Sequence, residues 1–373
     1  MSPVWMTSGV PFLTRTADTA VAPWDAAVHL PSGLVITAAS PIITNAHRAR
    51  PAFFGCESAR GDSLPPLVVR METEFIAWLR ERLPSHRQLA VGIGDDAACV
   101  RLAQGGDLLV SVDVLTEGVD FLLRDVDPRR VGRKALAVSL SDMAAMAARP
   151  LAVVVGVVLP RRGGLQLAQQ LAEGMIPLAE KYDVAFAGGD TNTWDGGLVI
   201  SVTILGEPAA RGPLRRRGAR PGDLIVVTGA FGGSILGHQF DFEPRVAEAL
   251  LLHERYDLHA GIDVSDGLSL DLSRLAAESG CGAAVRPRDV PLSDAAHELA
   301  RRDGRTALAH ALSDGEDFEL VLAVPEESAR RMLAERPVAV PLTVIGEFVE
   351  TPGLWQVDIQ GNSTPLAAEG FEH

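Results

Sequence analysis

The stretch VGIGDDAACV, residues 91–100, decides how this chain is read. Gly92, Ile93 and Gly94 look like the opening of a phosphate-cradling glycine loop. Two adjacent carboxylates, Asp95 and Asp96, follow at once. Such a loop offers bare backbone N–H groups to an anion, so two negative charges beside it conflict with that use. Either the loop is not at a phosphate, or something positive stands between.

The same kind of residue recurs along the chain. Asp113 lies inside SVDVL, Asp142 in SLSDMAAM, and Asp190 ends AFAGGD. Asp263 and Asp266 flank Ser265 in IDVSDG, and Glu316 and Asp317 sit in SDGEDFEL. One aspartate at a strand end is an ordinary cap or turn residue. A set of them beside glycines or inside apolar runs is costly to bury unpaired. Only two of the 34 basic residues are lysines, Lys134 and Lys181, and the arginines are not interleaved with these motifs. The simplest counter-charge is a divalent metal. Oxygen ligands without His or Cys favour Mg²⁺, and Mg²⁺ commonly bridges carboxylates to phosphate. On this reading Asp95 and Asp96 need not face phosphate directly, because metal lies between.

Other chemistries fit less well. No GxxxxGK[ST] loop is present, GIGDDA lacks the third glycine of a dinucleotide fingerprint, and no GxSxG elbow occurs. TGAFGGSILG (228–237) reads either as a phosphate cradle at a helix start or as a tight strand-to-helix turn. Cys56, Cys99 and Cys281 are isolated, which suits reduced thiols better than a disulfide or zinc framework. The net charge of −14 argues against a nucleic-acid partner or an anionic membrane surface. The longest apolar run, LAVVVGVVLP (151–160), reads as a buried strand, too short for a membrane helix. With no signal-peptide pattern, a cytoplasmic location is expected.

Residues 1–70 hold no helical or strand period for long. They are expected to be a start-site artefact with Met71 as the true first residue, the alternative being a real extension. From Met71 the pattern becomes regular. METEFIAWLRERL reads as an amphipathic helix and DLLVSVDVL as a strand. DPRRVGRKALAVSLSDMAAMAARP reads as a long helix capped by Asp127, with Pro128 at its first position. VAFAGGDT is expected to be a strand running into a glycine turn. EPAARGPLRRRGARPGD (207–223) reads as a linker or exposed crossover, and the second half opens on the strand LIVVTG. Strands and helices mix in both halves, an α/β (α+β) order without strict βαβ repetition.

Taken in order, GIGDDAA, SVDVLTEGVDF, KALAVSLSDMAAMAARP, AGGDT, RRRGARPGD, IDVSDGLSLDL and SDGEDFEL resemble the motifs of the thiamine-monophosphate kinases. That family belongs to the superfamily of aminoimidazole ribonucleotide synthetase, and the resemblance covers about residues 71–373. It implies a two-domain fold, with an N-terminal ATP- and metal-binding domain over 71–210 and a C-terminal α/β domain over 211–373. It also implies a homodimer, in which the N-terminal sheet forms a barrel with that of a second subunit. The implied reaction is ATP-dependent phosphorylation of thiamine monophosphate to thiamine diphosphate by direct in-line transfer, with no catalytic acid or base. By motif match, Asp96, Asp113, Asp142, Asp190, Asp263 and Asp266 would bind Mg²⁺, assisted by Asp95 and Ser111. Gly189, Asp190, Arg216 and Ser265 would contact ATP, and Glu316 and Phe371 the thiamine part of the acceptor. Asp120 departs from the family, which has His at that substrate position. Val112 and Ser139 depart too, replacing a small hydroxyl residue and Asn. The alternatives are a related ATP-dependent enzyme acting on another small phosphate, and a non-catalytic nucleotide-binding paralogue. Retention of the six aspartates argues against the latter.

Overall fold

A computed structural model describes residues 71–83, 86–103 and 105–371. The expected extension, with Cys56, lies outside the described residues. The first half runs α1 (Met71–Arg82), β1 (Leu89–Val91), β2 (Ala98–Arg101), β3 (Asp107–Thr116), α2 (Pro128–Ala145), β4 (Ala148–Pro160), α3 (Gly164–Lys181), β5 (Ala185–Trp194) and β6 (Val199–Pro208). These strands form one sheet in the order β1-β2-β3-β6-β4-β5. The second half runs β7 (Leu224–Thr228), α4 (His238–Asp241), α5 (Val246–Arg255), β8 (Ala260–Asp263), α6 (Leu268–Ser279), β9 (Gly282–Val285), α7 (Asp294–Asp303), α8 (Ala307–Ser313), β10 (Leu320–Val324), α9 (Glu326–Glu335), β11 (Leu342–Val349), β12 (Gly353–Val357) and β13 (Ser363–Pro365). Its sheet has the order β13-β12-β9-β11-β7-β10-β8. Each sheet is antiparallel apart from one parallel pair, β4 with β5 and β9 with β12. No helix among the described residues is long and apolar enough to cross a membrane.

Helix α2 is the element on which both halves close. Its start is fixed as the sequence predicts: the Asp127 side chain accepts from the Arg129 N–H at 2.8 Å, and Pro128 occupies the first turn. From Lys134 to Ala145 all but one of its residues are buried. One side packs on β3, β6 and β4, and the other meets α4, α5 and β8. A single apolar core therefore runs from Leu109 and Ile204 through Leu136 and Leu140 to Phe240 and Leu320.

Two features differ from expectation or stand out. The glycine turn expected after VAFA is absent. β5 instead continues through Gly188 and Gly189 to Trp194, and the register beside β4 slips between Val153 and Val154. Parallel pairing satisfies the backbone, and the slip passes over Ala187, next to Gly188, whose φ is 147°. The second feature is the outer face of this sheet, where Val112 and Val114 are 59% exposed and Val154 is 40% exposed.

α3 crosses α2 with almost no space between their backbones. A Cβ on Gly132 would lie 2.1 Å from the Leu171 carbonyl oxygen, and one on Gly174 would lie 1.8 Å from that of Arg129. Alanine is the better helix former by about 1 kcal/mol. Here it would push two backbones apart, so Gly174→Ala is expected to destabilise the fold by roughly 1–3 kcal/mol. Thermal unfolding checks this, and an unchanged midpoint would mean that the helices separate freely.

Candidate functional site

The turn after β1, helix α2 and the end of β8 converge. Carboxylate oxygens of Asp96, Asp142 and Asp263 lie within 4.8 Å of one another. The turn needs glycine at Gly94, whose φ is 119° and whose Cβ would strike the Arg80 guanidinium. On α2, the spacing of Ser139, Ser141 and Asp142 serves three carboxylates. Ser139 donates to Asp113 at 2.6 Å, Ser141 donates to Asp263 at 2.5 Å, and Asp142 accepts from Ser111 on β3. Asp96 Oδ1 accepts from Arg216 Nε at 3.1 Å and Nη2 at 2.5 Å, while the Arg216 backbone N–H donates to Asp95 at 2.9 Å. Asp96 Oδ2 is buried and has no hydrogen-bond partner.

Burial dominates the electrostatics. It pushes the Asp95 and Asp113 carboxyls up to about 6. It raises Asp142 well above the ordinary range, and the neighbouring charges of Asp113, Asp263 and Asp96 add to the shift. Asp263 is raised by burial and then by Asp96. Burial works against the Arg216 charge, but Asp96 outweighs it and keeps the guanidinium ionised. A set of oxygen donors, mutually repelling and with one oxygen unpartnered, is a group that could hold a hard cation.

Arg216 overturns one sequence reading. The arginines looked separate from the acidic motifs, yet Arg216 reaches Asp96 across 120 residues, and Arg274 pairs with Asp266 and Asp271. The chain crossing from β6 to β7 brings the first pair together, which spacing cannot show.

A second group of residues surrounds Glu316. Its carboxylate pairs with the buried ammonium of Lys134, which also donates to the Asp120 carbonyl. The Asp120 carboxylate turns back and accepts from the Thr116 N–H at 2.6 Å. The Ser265 carbonyl accepts from the Glu316 N–H at 2.7 Å, and the Asp266 carbonyl from the Phe371 N–H at 2.8 Å. TGAFGGSILG resolves as the strand-to-helix turn. Its Gly232 and Gly233 N–H groups donate to Asp317 and Asp314 at 2.9 and 3.1 Å, and Ser234 donates to the Gly315 carbonyl. Those donors hold the Glu316 loop and are not free for phosphate.

Gly189 and Asp190 are not brought to the cluster within this chain. Both are exposed on the edge strand β5. Asp190 shares its row with Gly156, Ser201 and Val114, on the sheet's outer face, whereas Asp113 points to the α2 side. Sequence reasoning also missed Asp271. It is buried, burial and Asp266 push its carboxyl up to about 7, and it accepts from the Asp266 and Gly267 N–H groups. The available signal was a lone acid in the apolar run LSLDL.

Comparison with known proteins is consistent across the chain. The AIR synthase related protein, N-terminal domain, matches residues 94–207, and the corresponding C-terminal domain matches residues 220–355. The thiamine-monophosphate kinase of Rhodopirellula baltica is 43% identical over 315 residues, covering 81% of this chain and 97% of that protein. Among solved structures, AaThiL complexed with AMPPCP and TMP superposes with a TM-score of 0.66 at 28% identity, over 81% of this chain and 96% of that one. The thiamine-monophosphate kinase of Stenotrophomonas maltophilia K279a superposes with a TM-score of 0.61 at 32% identity, covering 78% and 96% respectively.

The raised carboxyls make stability depend on pH. Each has a folded-state value above the ordinary 3.8, so its protonation favours the folded form. That stability is complete below 3.8 and is lost as pH rises through about 6 for Asp95 and Asp113 and about 7 for Asp271. His253, whose value burial lowers, has the opposite sign but is a single group. The thermal midpoint of chelator-treated protein is therefore expected to fall by several degrees between about pH 5 and about pH 8. A midpoint that climbs across this window would contradict the assignment.

Proposed function

From its place among the thiamine-monophosphate kinases, the AIR synthase related family to which this chain belongs, we infer how its residues carry that activity. The chain is a transferase that phosphorylates thiamine monophosphate to thiamine diphosphate, with ATP as donor. The observation that carries the reading is the trio Asp96, Asp142 and Asp263, two of them buried and Asp142 half-buried, drawn from both halves around one unpartnered carboxylate oxygen.

Those three carboxylates would hold Mg²⁺, with Asp95, Asp113, Asp266 and Ser111 around them. Bound there, Mg²⁺ supplies the positive charge that offsets repulsion between the two anionic reactants. Ser111 and Ser141 keep the ligand carboxylates oriented. Arg216 restrains Asp96 and, with Ser265, is the contact offered to ATP. The acceptor oxygen belongs to a phosphate that is already ionised near neutral pH. A general base is not required, which agrees with a centre built of carboxylates and hydroxyls. Catalysis then rests on alignment and electrostatics. Glu316 and Phe371 face the acceptor's ring system, and Asp120 stands in place of the family's His with its carboxylate turned back on the Thr116 N–H.

The division at 71–210 and 211–373 follows the two sheets. A homodimer completes the assembly. Its support is the exposed valine face of the first sheet, where pairing with a second copy would also enclose Gly189 and Asp190.

Product identification with thiamine monophosphate, free thiamine and an aminoimidazole nucleotide tests the substrate. Thiamine diphosphate should form from the monophosphate alone. Asp142→Asn should lower kcat/KM by at least about a hundredfold, since even outer-shell changes at metal sites cost about 10–100-fold. The same variant should be more stable than wild type at about pH 8 under chelation, because one repelling charge is gone. Near-normal activity would sink the metal assignment. Val114→Glu should leave a folded monomer with little activity, as read by light scattering. A fully active dimer would remove this face from the interface.

A further inference from the structure

Lys134 is one of two lysines in the chain, and its side chain is 1% exposed. Its ammonium donates to the Asp120 carbonyl at 3.0 Å and to Gln239 Oε1 at 2.8 Å, and it pairs with Glu316. An ammonium has three N–H donors, and these partners use all three. Nothing remains for a phosphate, so Lys134 is not a phosphate-binding lysine. The Phe240 ring lies on a further side, 5.1 Å from Nζ.

Its partners belong to separate parts of the fold. Asp120 is on the loop after β3 in the first half, whereas Gln239 on α4 and Glu316 after α8 belong to the second. Glu316 is held at φ 55°, a left-handed conformation costly for a residue with a side chain. The glycine turn fixes that loop on both sides of Glu316, through Asp314, Gly315 and Asp317. The Asp120 carboxylate is engaged by the Thr116 N–H, and Asp266 by Arg274. Glu316, 32% exposed, is the acid that Lys134 holds at this junction.

We propose that Lys134 is a positioning residue for acceptor recognition. It fixes the Glu316 carboxylate as counter-charge to the cationic ring of the acceptor and ties it to the Asp120 loop of the other half. This rests on the function inferred above. Without Lys134, the Glu316 carboxylate in its sheltered position takes up a proton or turns to solvent. In both cases the ring loses its counter-charge.

The test compares full-length wild type, Lys134→Met, Glu316→Gln and the double variant on two acceptors. These are thiamine monophosphate and its deaza isostere, in which carbon replaces the charged ring nitrogen. Wild type should prefer the cationic acceptor by at least about tenfold in kcat/KM. Each single variant should lose most of that preference through KM for the acceptor, with KM for ATP changed by less than about twofold. The double variant should be no worse than either single, because both act through one carboxylate. Lys134→Arg, which keeps the charge, should retain much of the preference and serves if the Met variant does not fold. Retention of the preference in Lys134→Met would overturn the inference alone. So would effects that multiply in the double variant, or equal losses on both acceptors and ATP. A wild type that ignores thiamine monophosphate but phosphorylates another acceptor would overturn the functional reading and this inference together.

Discussion

Asp96 and Asp263 are buried and Asp142 half-buried, with oxygens within 4.8 Å of one another, and the surrounding fold is arranged to hold them against their own repulsion. At an effective dielectric of about 20, two ionised carboxylates at that distance repel by roughly 3 kcal/mol. The protein offsets part of this locally. Serine hydroxyls take up oxygens of Asp142 and Asp263, and Arg216 takes one of Asp96. The remainder shows as raised carboxyls and an unpartnered oxygen. A cation held between these carboxylates would offset that repulsion.

Holding such a site needs a rigid element between the two halves, and α2 is that element. One side packs on the first sheet and the other on the second half, so Ser139, Ser141 and Asp142 address carboxylates from both directions. Glycines at the α2–α3 crossing let the helices approach backbone to backbone. Five residues before Ser139, the buried Lys134 extends the same logic to Glu316 and the Asp120 loop. Two polar clusters, one around Asp142 and one around Glu316, are thus spaced by a single helix.

Much of this was legible locally. The cap at Asp127 and the long apolar-patterned segment after it predict α2, and its start agrees with the structure. The recurring aspartates predict an acidic centre, and three of those named form it. The reading failed where the answer depends on remote contacts. GGD looks like a turn because glycines punctuate chains, but parallel pairing with β4 keeps it extended. Arg216 looks like part of a basic linker, and only the crossing between the sheets sets it on Asp96. TGAFGGSILG could cradle an anion on its own, and it is the neighbouring Asp314 and Asp317 that claim its N–H groups.

The sequence by itself determined which residue types are available, namely oxygen donors in glycine-bounded turns and apolar runs, two lysines, and a helix with a fixed start, while its end came at Ala145 and Ala148–Pro150, read as helix, open β4. These follow from short-range chemistry, namely capping, periodicity and the cost of unpaired acids. Only the tertiary structure decided which acids meet. It gathered Asp96, Asp142 and Asp263 and left Asp190 on the opposite face of the sheet. It also made Lys134 a buried tie with no donor to spare. The reason is that repulsion, desolvation and hydrogen-bond capacity depend on distances between residues far apart in the chain, and strand order and helix packing set those distances.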